Sequence, residues 1–129
     1  EEIREALLEC MWQDVGIVRD GAGLARADLH LAQLEDALNA TGMATDERAF
    51  NLTWHDWLNL SNLILVSRSI RTAAEHRKES RGAHFRSDYP QRGALDDSTY
   101  VTVRFDGQFV LDECPVQFQR VRPGESLLR

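Results

Sequence analysis

The sequence is poor in the residues that mark several large functional classes. Cys10 and Cys114 are the only two cysteines among 129 residues, too few and too far apart for a CxxC redox pair or a zinc knuckle, and they read as reduced, ordinary residues. No apolar run approaches the roughly 20 residues that cross a bilayer, and the start lacks the basic-then-apolar pattern of a secretory leader. A cytoplasmic protein with no direct membrane insertion is the resulting expectation. No GxGxxG follows a strand, since Gly16, Gly21 and Gly23 lie between helical patterns, so these residues offer no dinucleotide cradle. Basic residues do not dominate either: the net charge of −6 argues against nucleic acid as a partner.

What is present is one ordinary domain's worth of chain, 43% hydrophobic and 28% charged, enough for a core. Its charge is uneven. Residues 1–66 hold 12 acids and 4 bases, residues 67–92 hold 3 and 7, and residues 93–129 hold 6 and 4. A basic block inside an acidic protein points to an intramolecular or interdomain role for that block.

Ile3, Leu7, Cys10 and Met11 share one helical face, which predicts a first helix to about Gln13. The chain enters this pattern without an initiator Met or a capping residue, so it reads as cut from a longer protein. Gly16, Gly21 and Gly23 then frame a turn-rich connection whose apolar Val15, Ile17 and Val18 are expected to tuck onto the core. Leu24, Ala27, Leu31, Leu34 and Leu38 form one stripe and predict a second helix from Leu24 to about Ala40, stopped at Thr41-Gly42. A third begins near Trp54 with Thr53 as cap and Asp56 near the positive end of the dipole. Its apolar positions Trp54, Trp57, Leu58, Leu60, Ile64 and Leu65 cover a wide arc, as for a helix buried on two sides. Residues 99–112 switch to alternation around Asp106-Gly107, the signal of a hairpin on a type I′ turn with both central residues at positive φ. The fold class is mainly α: a three-helix bundle, spectrin-repeat-like with a left-handed twist, over 1–90, then a loop, the hairpin and a polar tail over 91–129. The tail beyond Pro115 is expected to fray or to dock on a neighbour.

Several residues invite functional readings that the pattern does not favour. His30 and His76 fall on polar helical positions, and His55-Asp56 at a helix start suits capping better than a metal. Asp96-Asp97 reads as a loop, and Trp54 and Trp57 as core rather than as a stacking platform. Asn39, Asn51 and Asn59 match the glycosylation acceptor by chance, two of them in or beside helical patterns.

The stretch from Arg77 to Pro90 carries the most information. It reads Arg-Lys-Glu-Ser-Arg-Gly-Ala-His-Phe-Arg-Ser-Asp-Tyr-Pro. On the residues alone, a helix running to Glu79-Ser80-Arg81-Gly82 would end with glycine in the left-handed conformation and cations near the last carbonyls. Arg77, Arg81 and Arg86 interleave with Glu79 and Asp88, which suits bidentate pairing in a buried polar lock. The functional alternative is an arginine that binds a dicarboxylate, or a His84 that moves a proton.

This stretch, through Arg77, Glu79, Ser80, Arg81, Gly82, His84, Arg86, Asp88, Tyr89 and Pro90, resembles the segment that ends the helical domain of the succinate dehydrogenase, fumarate reductase and L-aspartate oxidase flavoproteins. Met11 to Arg19 and Asn59 to Ala74 are similar to two further stretches of that family, so the likeness covers about residues 3–116. The resemblance implies a parent enzyme in which FAD and a C4 dicarboxylate exchange a hydride, with FAD held by a flavin-binding domain and covered by a capping domain of the same chain. It implies that the substrate and proton-transfer residues lie in those domains, so that these 129 residues hold no catalytic, FAD-binding or metal-binding residue. The flavin-binding and capping domains become the implied partners, and the likeness admits an iron–sulfur subunit as another. The hairpin followed by Cys114-Pro115-Val116 resembles the succinate dehydrogenase ending, although the chain is shorter between Pro90 and the hairpin. L-aspartate oxidase and a free-standing helical interaction module are the competing readings.

Overall fold

The computed structural model describes residues 1–42 and 50–126. Helix α1 spans Glu2–Val15, α2 Gly21–Thr41 and α3 Leu52–His76, and the chain ends in an antiparallel hairpin of strands Thr99–Phe105 and Phe109–Pro115. The expected bundle with a C-terminal hairpin is therefore present. Between helices, Val18–Arg19 pairs in parallel with Phe85–Arg86, a two-residue contact that no alternation announced. We number the strands β1 (Val18–Arg19), β2 (Phe85–Arg86), β3 (Thr99–Phe105) and β4 (Phe109–Pro115).

The α2 stripe does what its spacing dictates: Leu24, Ala27, Leu31, Leu34 and Leu38 are all buried, against Leu7, Cys10 and Val15 of α1 and Leu60, Ile64 and Ala74 of α3. Ion pairs flank the apolar seam, with Arg26 on Asp14, Arg68 on Glu35, and Arg71 on both Asp28 and Glu75. The hairpin leans on α3, where the Arg68 guanidinium lies 5.4 Å from the centre of the Phe109 ring.

Several local expectations are corrected. Helix α2 starts three residues earlier than Leu24, because Asp20 caps it by accepting from the Gly23 amide at 2.7 Å. Gly21 and Gly23 thus belong to its first turn; a Cβ on Gly23 would stand 3.3 Å from Asp14 Oδ1, so the glycine permits a close α1–α2 approach. Helix α1 continues to Val15, which joins the core, but Ile17 and Val18 are exposed. The cap of α3 is Asn51, whose side chain accepts from the Trp54 amide at 3.0 Å, and Thr53 falls inside the helix. Trp54 and Trp57 are only half-buried; Trp57 packs beside the core and donates its Nε1–H to the Leu38 carbonyl at the end of α2. The hairpin turn has three residues between paired Phe105 and Phe109, and Gly107 alone takes a positive φ, of 71°, so it is not the expected two-residue type I′ turn. Helix α3 ends at His76, not at Glu79 to Gly82. The last residues of the polar tail, 127–129, lie outside the described residues.

Leu31 is fully enclosed, so Leu31→Ala removes buried side-chain volume that its rigid neighbours cannot refill. We expect this substitution to lower the unfolding free energy by about 2–5 kcal/mol, read from the midpoint of urea denaturation.

Candidate functional site: the segment after helix α3

The segment from Arg77 to Pro90 leaves α3 and folds back across the end of the bundle where α1 stops, α2 starts and α3 stops. Its first feature is a tight turn: Arg81 and His84 exchange two backbone hydrogen bonds, of 2.8 and 3.0 Å, around Gly82-Ala83, and Gly82 has φ +57°. Positive φ at the first central residue is what a type II′ turn requires. Gly82 does adopt the left-handed conformation read from the sequence, but in a turn rather than at a helix end.

Ser80 holds the turn to the chain that follows. Its hydroxyl accepts from the Arg86 amide at 2.9 Å and lies 2.9 Å from the Tyr89 carbonyl, to which it can donate. Beyond it, Arg86 is 2% exposed, the most deeply buried charge described. Its Nη1 donates to the Ala74 and Glu75 carbonyls at the end of α3, at 3.0 and 3.3 Å. Its Nε and Nη2 form a fork on the two oxygens of Asp88, at 2.7 and 2.6 Å. Asp88 Oδ2 in turn accepts from the Gly21 amide at the start of α2, at 2.9 Å. A cation therefore faces the negative end of one helix dipole, and an anion the positive end of another. The Arg86 hydrogen bonds hold the Asp88 carboxyl well below the usual carboxylate range, with the Gly21 amide adding to the effect. The Arg86 guanidinium also lies 5.1 Å from the centre of the Tyr89 ring.

A second carboxylate organises the other side. Glu79 accepts from Arg77 at 2.8 Å, from Arg81 at 3.1 Å and from the Gly93 amide at 2.9 Å. Arg77 also reaches the Thr99 carbonyl at 2.8 Å, and Arg81 the Ser98 hydroxyl at 2.5 Å, so the segment is tied to the start of β3. Every arginine singled out in the sequence is thus engaged inside this unit.

His84 takes a position that the sequence did not announce. Its Nδ1 lies 2.8 Å from Arg19 Nη1 and its Nε2 lies 3.2 Å from the Arg77 carbonyl. A guanidinium can only donate and a carbonyl can only accept, so Nδ1 is bare and Nε2 carries the hydrogen. Burial pushes the His84 pKa down, and the neighbouring charges of Arg19, Arg77 and Arg86 push the same way. Arg19 is the residue that sequence reasoning missed. The one available signal was its place in a short apolar run between Gly16 and the Asp20 cap.

The hydrogen bonds of the segment join it to itself and to the ends of the helices. Its carboxylates are engaged by arginines and amides, and its imidazole is fixed between one donor, Arg19, and one acceptor, the Arg77 carbonyl. Among the described residues no group of three or more His, Cys, Asp or Glu side chains could hold a metal ion.

The family described as "Fumarate reductase flavoprotein C-term" matches residues 4–127. The fumarate reductase flavoprotein subunit of Mycobacterium tuberculosis is 33% identical over 131 residues, covering 98% of this chain and 22% of that protein. L-aspartate oxidase 1 of Ralstonia nicotianae is 39% identical over 87 residues, 67% of this chain and 15% of that protein. Among solved structures, Mycobacterium smegmatis Sdh1 in complex with UQ1 superposes with a TM-score of 0.78 at 31% identity, over 91% of this chain and 20% of that one. The chain spans about a fifth of such relatives.

Neutral His84 yields a pH prediction. Its folded pKa lies below the ordinary 6.5, so on acidification the unfolded chain takes up protons first; the stabilisation is complete above about pH 6.5 and is lost as pH falls through the folded value. The urea midpoint should therefore drop between pH 7 and pH 5. A glutamine can accept from Arg19 and donate to the Arg77 carbonyl without titrating, so His84→Gln should flatten that part of the profile.

Proposed function

Because the chain belongs to the fumarate reductase flavoprotein C-terminal family, we propose that it is the non-catalytic helical domain of an FAD-dependent succinate dehydrogenase or fumarate reductase flavoprotein subunit, packed on the flavin-binding domain of the same polypeptide. The observation that carries this reading is an apolar stripe left bare. Leu63, Val66 and Ile70 follow one another three and four residues apart on α3 and are all exposed, Val66 by 54%. Leu8 and Trp12, each one turn further along α1 from Arg4, are 61% and 71% exposed. Arg4 lines a hollow together with Leu63 and Val66, so the two rows border one groove. A groove of this extent fits permanent cover by another domain.

The 129 residues themselves do not fit a flavin. Among the described residues the one glycine-rich helix start is that of α2, where Asp20 and Asp88 already occupy the first-turn amides with negative charge. A pyrophosphate would meet two carboxylates there. Chemistry on FAD and a C4 dicarboxylate therefore belongs, on this reading, to the part of the parent protein outside these residues. That part would include a flavin-binding and a capping domain, with an iron–sulfur subunit as an external partner. The segment around Arg77, Glu79, Ser80, Arg81, Gly82, His84, Arg86 and Asp88 serves as the stiff end of the docked body. No helix among the described residues is long and apolar enough to cross a membrane.

L-aspartate oxidase is the second reading, since its match is the higher in identity. It covers 67% of the chain, whereas the fumarate reductase subunit of M. tuberculosis is matched over 98%, hairpin included. The longer match favours the dehydrogenase and reductase branch.

Leu63→Asp places a charge in the middle of the bare groove without touching the buried core. In the complete flavoprotein we expect faster release of this domain by limited proteolysis and a reduced flavin content, while the urea midpoint of the 129-residue protein stays within experimental error. Unchanged proteolysis and flavin content in the complete protein would overturn the docking reading.

A further inference from the structure

Arg19 differs from the other arginines around it. Each arginine of the three helices and of the 77–86 segment pairs with a carboxylate. Among the described residues Arg19 has none. Its Nε donates to the Val15 and Gly16 carbonyls at 3.0 and 2.7 Å, and its Nη1 to the neutral His84 ring at 2.8 Å. These acceptors fix the guanidinium plane but leave its charge uncancelled, and no described residue accepts from Nη2. Burial already disfavours the cation, pulling the Arg19 pKa below its ordinary value.

The free edge of Arg19 borders an open trough of about 450 Å³, whose wall carries Arg77, Arg81, His84 and Tyr100 above the apolar Ile70 and Ala73. Three guanidiniums line it, and Glu79 is the carboxylate that answers two of them. A rigid, half-desolvated guanidinium with a free donor edge is the arrangement that receives a carboxylate best. Ile70 belongs both to this trough and to the bare apolar row of α3, so the row runs up to the trough that Arg19 lines.

We propose that Arg19 receives a carboxylate, an Asp or Glu side chain, carried by the flavin-binding part of the same polypeptide and seated in the trough beside His84 and Tyr100. The proposal rests on the docking reading above and adds to it the chemistry of the contact. The apolar groove supplies the area, and the Arg19 pair fixes how far along the groove the two bodies meet, because a cation buried on docking without an anion would oppose the association. His84 acts as a positioning residue, holding the guanidinium with a ring that carries no charge of its own.

The test uses the complete flavoprotein. In Arg19→Lys an amine replaces the guanidinium, and a water-soluble carbodiimide joins it to any carboxylate in salt-bridge contact, giving a cross-linked peptide pair one water lighter than its parts. Tyr100→Lys, at an exposed hairpin position on the same trough, repeats the test without disturbing the Arg19 contacts. A photo-crosslinking residue at Leu63 reports docking independently. We expect both lysine variants to couple to one acidic peptide from outside the 129 residues. Coupling only within the 129 residues, coupling to a second copy in a mixture of isotope-labelled and unlabelled protein, or no coupling at all would overturn the carboxylate proposal while a Leu63 cross-link to the rest of the chain leaves docking standing. If Leu63 also fails to reach outside the 129 residues, the docking reading fails and the proposal with it.

Discussion

The fold depends on one buried fork, Arg86 on Asp88. A guanidinium taken almost wholly out of water is tolerated only when its donors are spoken for, and here they reach two carboxylate oxygens and two carbonyls at the end of α3. Asp88 then passes the connection to the first amide of α2. The pair thus joins the negative end of one helix to the positive start of another, at the place where the chain leaves the bundle for the hairpin. Remove it and the Ala74 and Glu75 carbonyls at the end of α3 lose their side-chain donor, and the Gly21 amide loses its carboxylate.

From that constraint the character of the segment follows. Ser80 bonds the Arg86 amide and the Tyr89 carbonyl, Glu79 gathers Arg77, Arg81 and the Gly93 amide, and His84 joins Arg19 of β1 to the Arg77 carbonyl just past α3. A residue that turns over substrate needs a free edge and a titratable group poised near working pH. These have neither. The unspent interactions of the molecule lie elsewhere, in the apolar row of α1 and α3 and in the uncancelled charge of Arg19.

Much of this was legible in the sequence. The α2 stripe is a single row at helical spacing, and burial follows from that alone. The alternation from Tyr100 to Leu111 announces a hairpin, and the interleaved signs of Arg77 to Asp88 announce ion pairs. Other features were not legible because they depend on close approach between distant segments. Thr53 suits a cap by residue type, but Asn51, two residues earlier, is the one whose side chain accepts from the Trp54 amide and so starts the helix at Leu52. Gly21 and Gly23 look like turn residues, yet Asp20 and the crowding of Asp14 recruit them into α2. The wide apolar arc of α3 suggests two buried sides; one is buried here and the other, through Leu63, Val66 and Ile70, faces outward. The Arg19–His84 contact spans 65 residues and a parallel two-residue pairing, neither of which has a local signature.

The central claim is that the segment after α3 holds shape rather than performing chemistry, and the most direct measurement is turnover per bound flavin beside thermal stability in the complete protein carrying Arg86→Lys. Lysine keeps the charge but cannot form the fork or reach both helix ends. The account predicts a lower melting temperature with turnover per bound flavin unchanged. An unchanged melting temperature with lost turnover would contradict it.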